Sequence, residues 1–570
     1  MDYEKLYITG EWIPGASGTF IDVENPATRE IFARVPAGNA EDVDKAAKAA
    51  HAAFPAWAAK TLDERIALME KFLEIFRSQE DGLIDITIKE LGSPWAFTKG
   101  SQVEYQYVRT RSYIDLAPTV PMVEKMAEST TYREPVGVVG CITPWNYPLG
   151  QVIQKIIPAL LMGNTIILKP SQHTPLSAYW LVDAFEKAGF PKGVFNLVTG
   201  RGGEVGNALS SHPLVDMISF TGSTKGGVTV SKHALESVKR ISLELGGKSP
   251  YVILKAEDHD YNKPIHLCFN TIFLNSGQTC TAFSRLLIPE SEKETIEKQL
   301  VEIAKEYTVG DPEDHNVKLG PVSSRAQYDK ITSYIKKGVE EGATLLYGEV
   351  PKDLGETGGY YIHPVIFTDV KNSMTIAQDE IFGPVLCVIT YKDIDDAVAI
   401  ANDVRYGLNA GVYGPKQEAI AVAHRIQSGN VYINDSPRDT AAPFGGYKES
   451  GIGRSEVFII SKVSPDAVRS GKVRESLDRT IEAFGGTYVD LMLIHWSVAR
   501  KVKERWRIME KYVDVGKIRA IGVSNFNPHH VDELLAYARI KPVVNQIKIH
   551  PYMEHQEVVG NTFAKGIQVQ

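Results

Sequence analysis

From Val136 onward the sequence alternates short apolar runs with helical patterns, and few architectures tolerate that alternation. VVGCIT (138–143) ends at Pro144, and Leu149 to Leu161 is apolar at helical spacing. TIILKP (165–170) is followed by a helical pattern from Leu176 to Gly189. MISFTGS (217–223) runs into a glycine turn, and ISLELGG (241–247) and YVILK (251–255) follow. Strands without polar alternation, joined by helices, predict a parallel sheet covered on both faces. Ligands of such sheets lie beyond the carboxyl ends of the strands. The polar and glycine residues just after each strand are therefore the candidates. Upstream, Thr61 to Glu64 reads as a capping box opening a helix that continues toward Gly92.

A chain of 570 residues implies two to four domains. With 43% hydrophobic and 23% charged residues it reads as globular and soluble. A net charge of −8 gives no reason to expect nucleic acid or an anionic membrane as partner. No window approaches the roughly 18 apolar residues of a membrane span. The charged start, MDYEKLYITGEW, lacks a signal-peptide core, and four scattered cysteines make no disulfide framework. A cytoplasmic location is expected. Cys141, Cys268 and Cys387 sit in apolar patterns and are expected to fill core.

Four stretches carry polar groups where chemistry would sit. NSGQTCTA (275–282) puts Cys280 after a polar turn; alone it reads as well as a buried structural thiol. LELGGKSP (243–250) sets Glu244 among apolar residues beside two glycines, a setting that raises a carboxyl pKa as a general base requires. The alternative is a core-edge carboxylate paired with a lysine. TPWNYP (143–148) offers the Asn146 amide to a developing oxyanion, or simply a turn before Pro148. FTGSTKGG (220–227) is a Ser-Thr turn that could meet a pyrophosphate at a helix N-terminus. No metal-ligand pattern is found.

Taken in order, PWN, KPSxxTP, FTGSTxxG, LELGGK, GQTC, EIFGPV and PFGGYKxSGxGR resemble the NAD(P)-dependent aldehyde dehydrogenase superfamily, over about residues 6–454. The resemblance implies an α/β fold: a Rossmann-like cofactor domain (1–246 with part of 430–454, and a bridging hairpin at 118–135) and an α/β catalytic domain (247–430). It implies oxidation of an aldehyde to its acid with NAD(P)+. Cys280 matches the nucleophile, Asn146 the oxyanion donor and Glu244 the base that activates water. Thr143, Trp145, Lys169, Ser171, Gln172, Gly222, Ser223, Gly246, Glu380 and Phe382 match cofactor contacts, and Tyr147 and Phe444 shape the aldehyde tunnel. A base at 244 favours water over coenzyme A as acyl acceptor. Gln172 stands where NAD-preferring relatives often carry Glu, so NAD with NADP tolerated is expected. The family is typically a homodimer or homotetramer.

Beyond Arg454 the family's C-terminal arm does not appear, and its loss is expected to weaken those oligomer contacts. Strands are expected at 457–463, 489–495, 518–526 and 543–552 and from Gly566, with helices between. DLMLIHW, KIRAIGVSNF and VVNQIKIHPY resemble the aldo-keto reductase family, over about 457–570. The resemblance implies an incomplete (β/α) barrel, residues 455–570, with Lys462 and His495 on that family's lysine and histidine. Ser524, Asn525 and Gln546 fall on its nicotinamide contacts. The segments that hold its Asp and proton-donating Tyr are absent, and Ser497 stands where Pro is usual. Three outcomes are open: a dehydrogenase with an inert fragment, a bifunctional dehydrogenase and carbonyl reductase, or a chimera impaired by the lost arm.

Overall fold

Val138–Ile142 reads VVGCI and is buried at every position, as a strand covered on both faces must be. The computed structural model describes residues 3–569 apart from 126–128, 353, 355–357, 440–441, 453–459, 484–488, 498–501 and 548–555. The chain divides into two compact units, Met1–Arg454 and Ser455–Gln570.

In the first unit, Val138–Ile142 lies between the parallel strands Thr165–Lys169 and Met217–Thr221. Phe195–Leu197 and Arg240–Glu244 continue the parallel sheet on either side. Both margins are antiparallel. The hairpin Leu6–Ile8 and Glu11–Ile13 closes one side, and Gly451–Ile452 closes the other against Leu243 and Glu244. Helices Pro148–Leu161 and Leu176–Ala188 cover it, their apolar stripes packed into one core with Phe72, Phe76 and Phe185.

A second sheet of seven strands contains Pro250–Ile253, Arg285–Pro289, Val385–Tyr391 and Asn409–Tyr413 at its centre. Its pairs are parallel except the edge pair Thr344–Tyr347 with Val365–Thr368. The hairpin Val123–Lys125 with Thr130–Tyr132 falls inside the predicted bridging segment. The capping box at Thr61 is present, with Thr61 Oγ1 accepting from the Glu64 N–H. The predicted single helix is two, Leu62–Ser78 and Glu80–Leu91, broken at Gln79 and ended by left-handed Gly92. Cys141, Cys268 and Cys387 are fully buried, as expected.

The second unit has five parallel strands in chain order: Ile460–Val463, Val489–Ile494, Ile518–Ser524, Val544–Gln546 and Gln568–Val569. Met492, Trp506, Ile521 and Val531 form its core, while Leu491, Leu493 and Val544 cluster separately. The expected part-barrel is seen as an open sheet, with Ile460–Val463 and Gln568–Val569 as its edges among the described residues. Positions 457–459 and 548–552 of the predicted strands lie outside the described residues.

One buried cation ties the second sheet together. Arg285, fully buried, donates to the Lys248 carbonyl (3.0 Å), Asn372 Oδ1 (3.0 Å), the Ile400 carbonyl (2.9 Å) and the Ala401 carbonyl (2.9 Å). Burial lowers its pKa to about 10. Arg285→Met strands these acceptors without donors and is expected to cost about 3–5 kcal/mol, seen as a lower urea midpoint of the first unit; an unchanged midpoint would refute this role.

Candidate active site

Asn146 follows the strand Val138–Ile142 and precedes the helix Pro148–Leu161. Its carbonyl accepts from Gln102 Nε2 (3.1 Å) and Asn275 Nδ2 (2.8 Å), and its own Nδ2 donates to the Gln278 carbonyl (2.9 Å). One amide hydrogen is so committed; the other is not used by that bond. The loop it grips is wound left-handed at three successive residues, Asn275 (φ 51°), Ser276 (φ 55°) and Gly277 (φ 78°). Such backbone at non-glycine residues costs about 1–3 kcal/mol each and persists only where the surroundings over-determine it.

Here they do. Ser276 Oγ donates to the Gly320 carbonyl (2.8 Å), and Gln278 Oε1 accepts from the Ser323 N–H (2.8 Å). Tyr147 Oη and Thr279 Oγ1 are 2.8 Å apart, and Asn409 Nδ2 donates to the Thr281 carbonyl (2.9 Å). Cys280 is thus fixed on both sides by named bonds.

Glu244 ends the strand Arg240–Glu244, and Gly246 and Gly247 follow. A Cβ at Gly246 would come 2.5 Å from Glu380 Oε2, and one at Gly247 would overlap the Cys280 carbonyl oxygen. The glycine pair therefore lets both Glu380 and the cysteine loop approach this strand end. The Gly247 N–H donates to Glu380 Oε1 (2.9 Å). Ser450 bolts the same turn: its Oγ donates to the Gly246 carbonyl (2.6 Å) and accepts from the Gly407 N–H (2.9 Å), and its carbonyl accepts from the Leu245 N–H (2.9 Å).

Cys280 is half-buried. Burial, and then the charges of Glu380 and Glu244, push its thiol up to about 12; Arg438 and its own N–H act the other way. Glu380 is itself pushed up by burial, against the Gly247 N–H.

Cys280 opens onto two cavities. One, of 160 Å³, also bears Trp145, Asn146, Gly222, Ser223, Gly246, Glu380 and Phe382. Ser223 caps the helix Thr224–Leu235, its Oγ accepting from the Gly226 N–H. Phe382 has a positive φ of 64°, meets Trp145 edge to face at 5.4 Å, and is anchored through its carbonyl by Gln327 Nε2 (2.6 Å). The other, of 500 Å³, bears Tyr147 and Phe444. Glu244 lines neither of these two; it lines an adjoining 320 Å³ cavity that shares Phe444, Gln151 and Arg438 with the second.

Thr143, Lys169, Ser171 and Gln172 line none of the three. Thr143 and Lys169 are joined between strands, the Thr143 N–H donating to the Lys169 carbonyl (3.1 Å). Lys169 Nζ donates to the Pro170 carbonyl (2.8 Å), and burial lowers its pKa to about 8. Ser171 Oγ accepts from the His173 N–H (3.2 Å), and Gln172 is half-buried.

Sequence reasoning missed Gln102, Gln327, Arg109, Gln151 and Arg438. The first four lie in helices, where a polar residue reads as a solvated face, and Arg438 lies in a polar loop. Among the described residues no His, Cys, Asp and Glu group could hold a metal, and no helix is long and apolar enough to cross a membrane.

In the second unit, the predicted residues gather at one end of the parallel strands. Asn525 (φ 58°) donates through Nδ2 to the His495 carbonyl (3.3 Å) and to Ser524 Oγ (3.1 Å), and its N–H donates to the Gln546 carbonyl (2.9 Å). Lys462 lies on the neighbouring strand, in register with Leu493.

The profile of the aldehyde dehydrogenase family matches residues 12–461. The chain belongs to the aldehyde dehydrogenase family. It is therefore an oxidoreductase. A Staphylococcus aureus protein (strain bovine RF122 / ET3-1) named as an aldehyde dehydrogenase is 42% identical over 459 residues, covering 80% of this chain and 95% of that one. Aldehyde dehydrogenase C from Pseudomonas syringae, solved as a mutant with NAD+ and octanal, superposes with a TM-score of 0.77 at 40% identity, covering 79% of this chain and 93% of that one. Betaine aldehyde dehydrogenase from Staphylococcus aureus, a point mutant solved with NAD+, gives 0.76 at 34% identity, covering 79% and 92%. The profile of the aldo/keto reductase family matches residues 426–569, so this dehydrogenase carries a second resemblance at its end.

The raised thiol yields a pH prediction. Only thiolate alkylates, so iodoacetamide labelling of Cys280 is expected to quicken about tenfold per pH unit between pH 7 and 9, without a plateau. Mass spectrometry of the labelled peptide checks it; a plateau below pH 8 would contradict the raised value.

Proposed function

We propose that this chain oxidises an aldehyde to its carboxylic acid with NAD+, through a covalent intermediate on Cys280. The observation that carries the reading is the placement of Cys280 between two cavities, with Asn146 and Glu380 beside one and Tyr147 and Phe444 beside the other. The 160 Å³ cavity fits a dinucleotide's reactive end: Gly246 leaves a cradle that a Cβ would fill, and a capped helix N-terminus at Ser223 suits a pyrophosphate. Gly222, Ser223 and Trp145 would hold the phosphates, Glu380 and Phe382 the nicotinamide ribose and ring. Lys169, Ser171, Gln172 and Thr143 would hold the adenosine end. Residues 1–246 with part of 430–454 would form the cofactor domain and 247–430 the catalytic domain.

The nicotinamide, when bound, supplies the hydride acceptor. The Cys280 thiolate adds to the aldehyde carbon, and the oxygen gains the charge. The free amide hydrogen of Asn146 and the Cys280 N–H donate to that oxygen. Loss of hydride from the same carbon leaves a thioester on Cys280. Glu244 takes a proton from water, the water oxygen adds to the thioester carbon, and the thiolate departs with the acid released.

Three outcomes test this. NADH formation from an aldehyde panel is expected, and Cys280→Ser should lower it about a thousandfold or more. Glu244→Gln should retain a burst of about one NADH per subunit before a slow steady rate, because hydrolysis and not hydride loss is impaired. Full turnover by the serine variant, or a missing burst, would refute the cysteine path. At Gln172 no carboxylate repels a 2′-phosphate, so the kcat/KM preference for NAD+ over NADP+ should stay below about a hundredfold, roughly 2.7 kcal/mol.

The second unit adds no reductase chemistry in this reading: a proton donor is not found among its sequence motifs. NADPH-dependent carbonyl reduction that survives Cys280→Ser would overturn that.

A further inference from the structure

The 500 Å³ cavity before Cys280 is lined by two guanidinium groups, Arg109 and Arg438, and by the amides of Gln106, Gln151 and Gln154. Arg109, on the helix Tyr105–Leu116, is 6% exposed. Its Nη1 donates to Gln106 Oε1 (2.7 Å) and the Gly150 carbonyl (3.4 Å), both neutral acceptors, and its guanidinium lies 4.8 Å from the Tyr105 ring. Arg438 lies 4.6 Å from the Phe444 ring. Among the described residues neither arginine forms a salt bridge, and Arg438 is the foremost charge acting on Arg109. The adjoining cavity brings one carboxylate, Glu244, toward the same two arginines and adds Lys155. Positive charge is therefore in excess where a substrate would extend from the sulfur.

Two like charges lining one cavity repel each other, the more so where one of them, Arg109, is buried, and an anion between them relieves that repulsion. A guanidinium fork matches the two oxygens of a carboxylate. We propose that the aldehyde this enzyme takes carries a carboxylate on its own carbon chain, held between Arg109 and Arg438 while its carbonyl meets Cys280. This rests on the reading of Cys280 as the nucleophile of aldehyde oxidation. A plain alkyl aldehyde offers neither guanidinium group an anionic partner and loses that attraction.

The test uses the full chain and Arg438→Gln, a change at an exposed side chain. Two readouts are compared. In the first, kcat/KM for 4-oxobutanoate is divided by that for butanal. In the second, the alkylation rate of Cys280 by iodoacetate is divided by that by iodoacetamide, each normalised to free glutathione. Both ratios should exceed about ten in the parent chain and fall about tenfold in the variant. The alkylation ratio should also fall in 0.5 M KCl, as screening of the arginines requires. An alkylation ratio near unity in the parent, or one indifferent to Arg438→Gln, would overturn the proposal. If neither aldehyde is oxidised while the alkylation ratio stays high, the anion site stands and the oxidation reading fails. If butanal is the better substrate, the substrate assignment fails and the oxidation reading stands.

Discussion

One side-chain amide joins the two sheets where the chemistry would happen. Asn146 lies in the turn that follows the strand Val138–Ile142 of the first sheet, and the Gln278 carbonyl it holds belongs to the loop that feeds Arg285–Pro289 in the second. That bond restrains the left-handed turn at Asn275–Gly277 from the first sheet, alongside the Ser276, Gln278, Thr279 and Thr281 bonds that hold the sulfur two residues beyond Gln278. The orientation of Asn146 in turn depends on Gln102 and Asn275 from outside its own strand. The geometry around Cys280 is a property of loops clamped between sheets, with the buried amides of Asn146, Gln102, Asn275 and Gln278 around it.

The glycine pair after Glu244 is the complementary device. It removes side chains so that a carboxylate and a backbone carbonyl can crowd the same strand end. The cost of the crowding shows in the ionisations. Burial first, and then Glu380 and Glu244, raise the Cys280 thiol, so at neutral pH it rests protonated, and relief of that field would favour the thiolate. A cationic nicotinamide ring is of the sign that would relieve it.

Much of the first unit was legible because parallel strands place their chemistry at their ends. The turns after Ile142, Thr221 and Glu244 carry motif residues, and a local pattern was enough to find them. Arg109 and Gln151 were illegible because helix periodicity says which face is buried but not whether that face borders a core or a cavity. The predicted continuous helix toward Gly92 failed at Gln79, which carries no strong breaker. In the second unit, strand order followed directly from the βα alternation, whereas whether such strands close into a ring depends on long-range stagger that no local pattern encodes.

Ser450 has a bearing on how the enzyme is made. It clasps the Gly246 turn from 204 positions further along the chain. At about 5–20 residues per second, a ribosome delivers it roughly 10–40 s after the glycines it secures. Once Glu380 has also been made, the nascent chain holds the thiol and both carboxylates of the site, but until residue 450 emerges it lacks the rung that secures their shared turn.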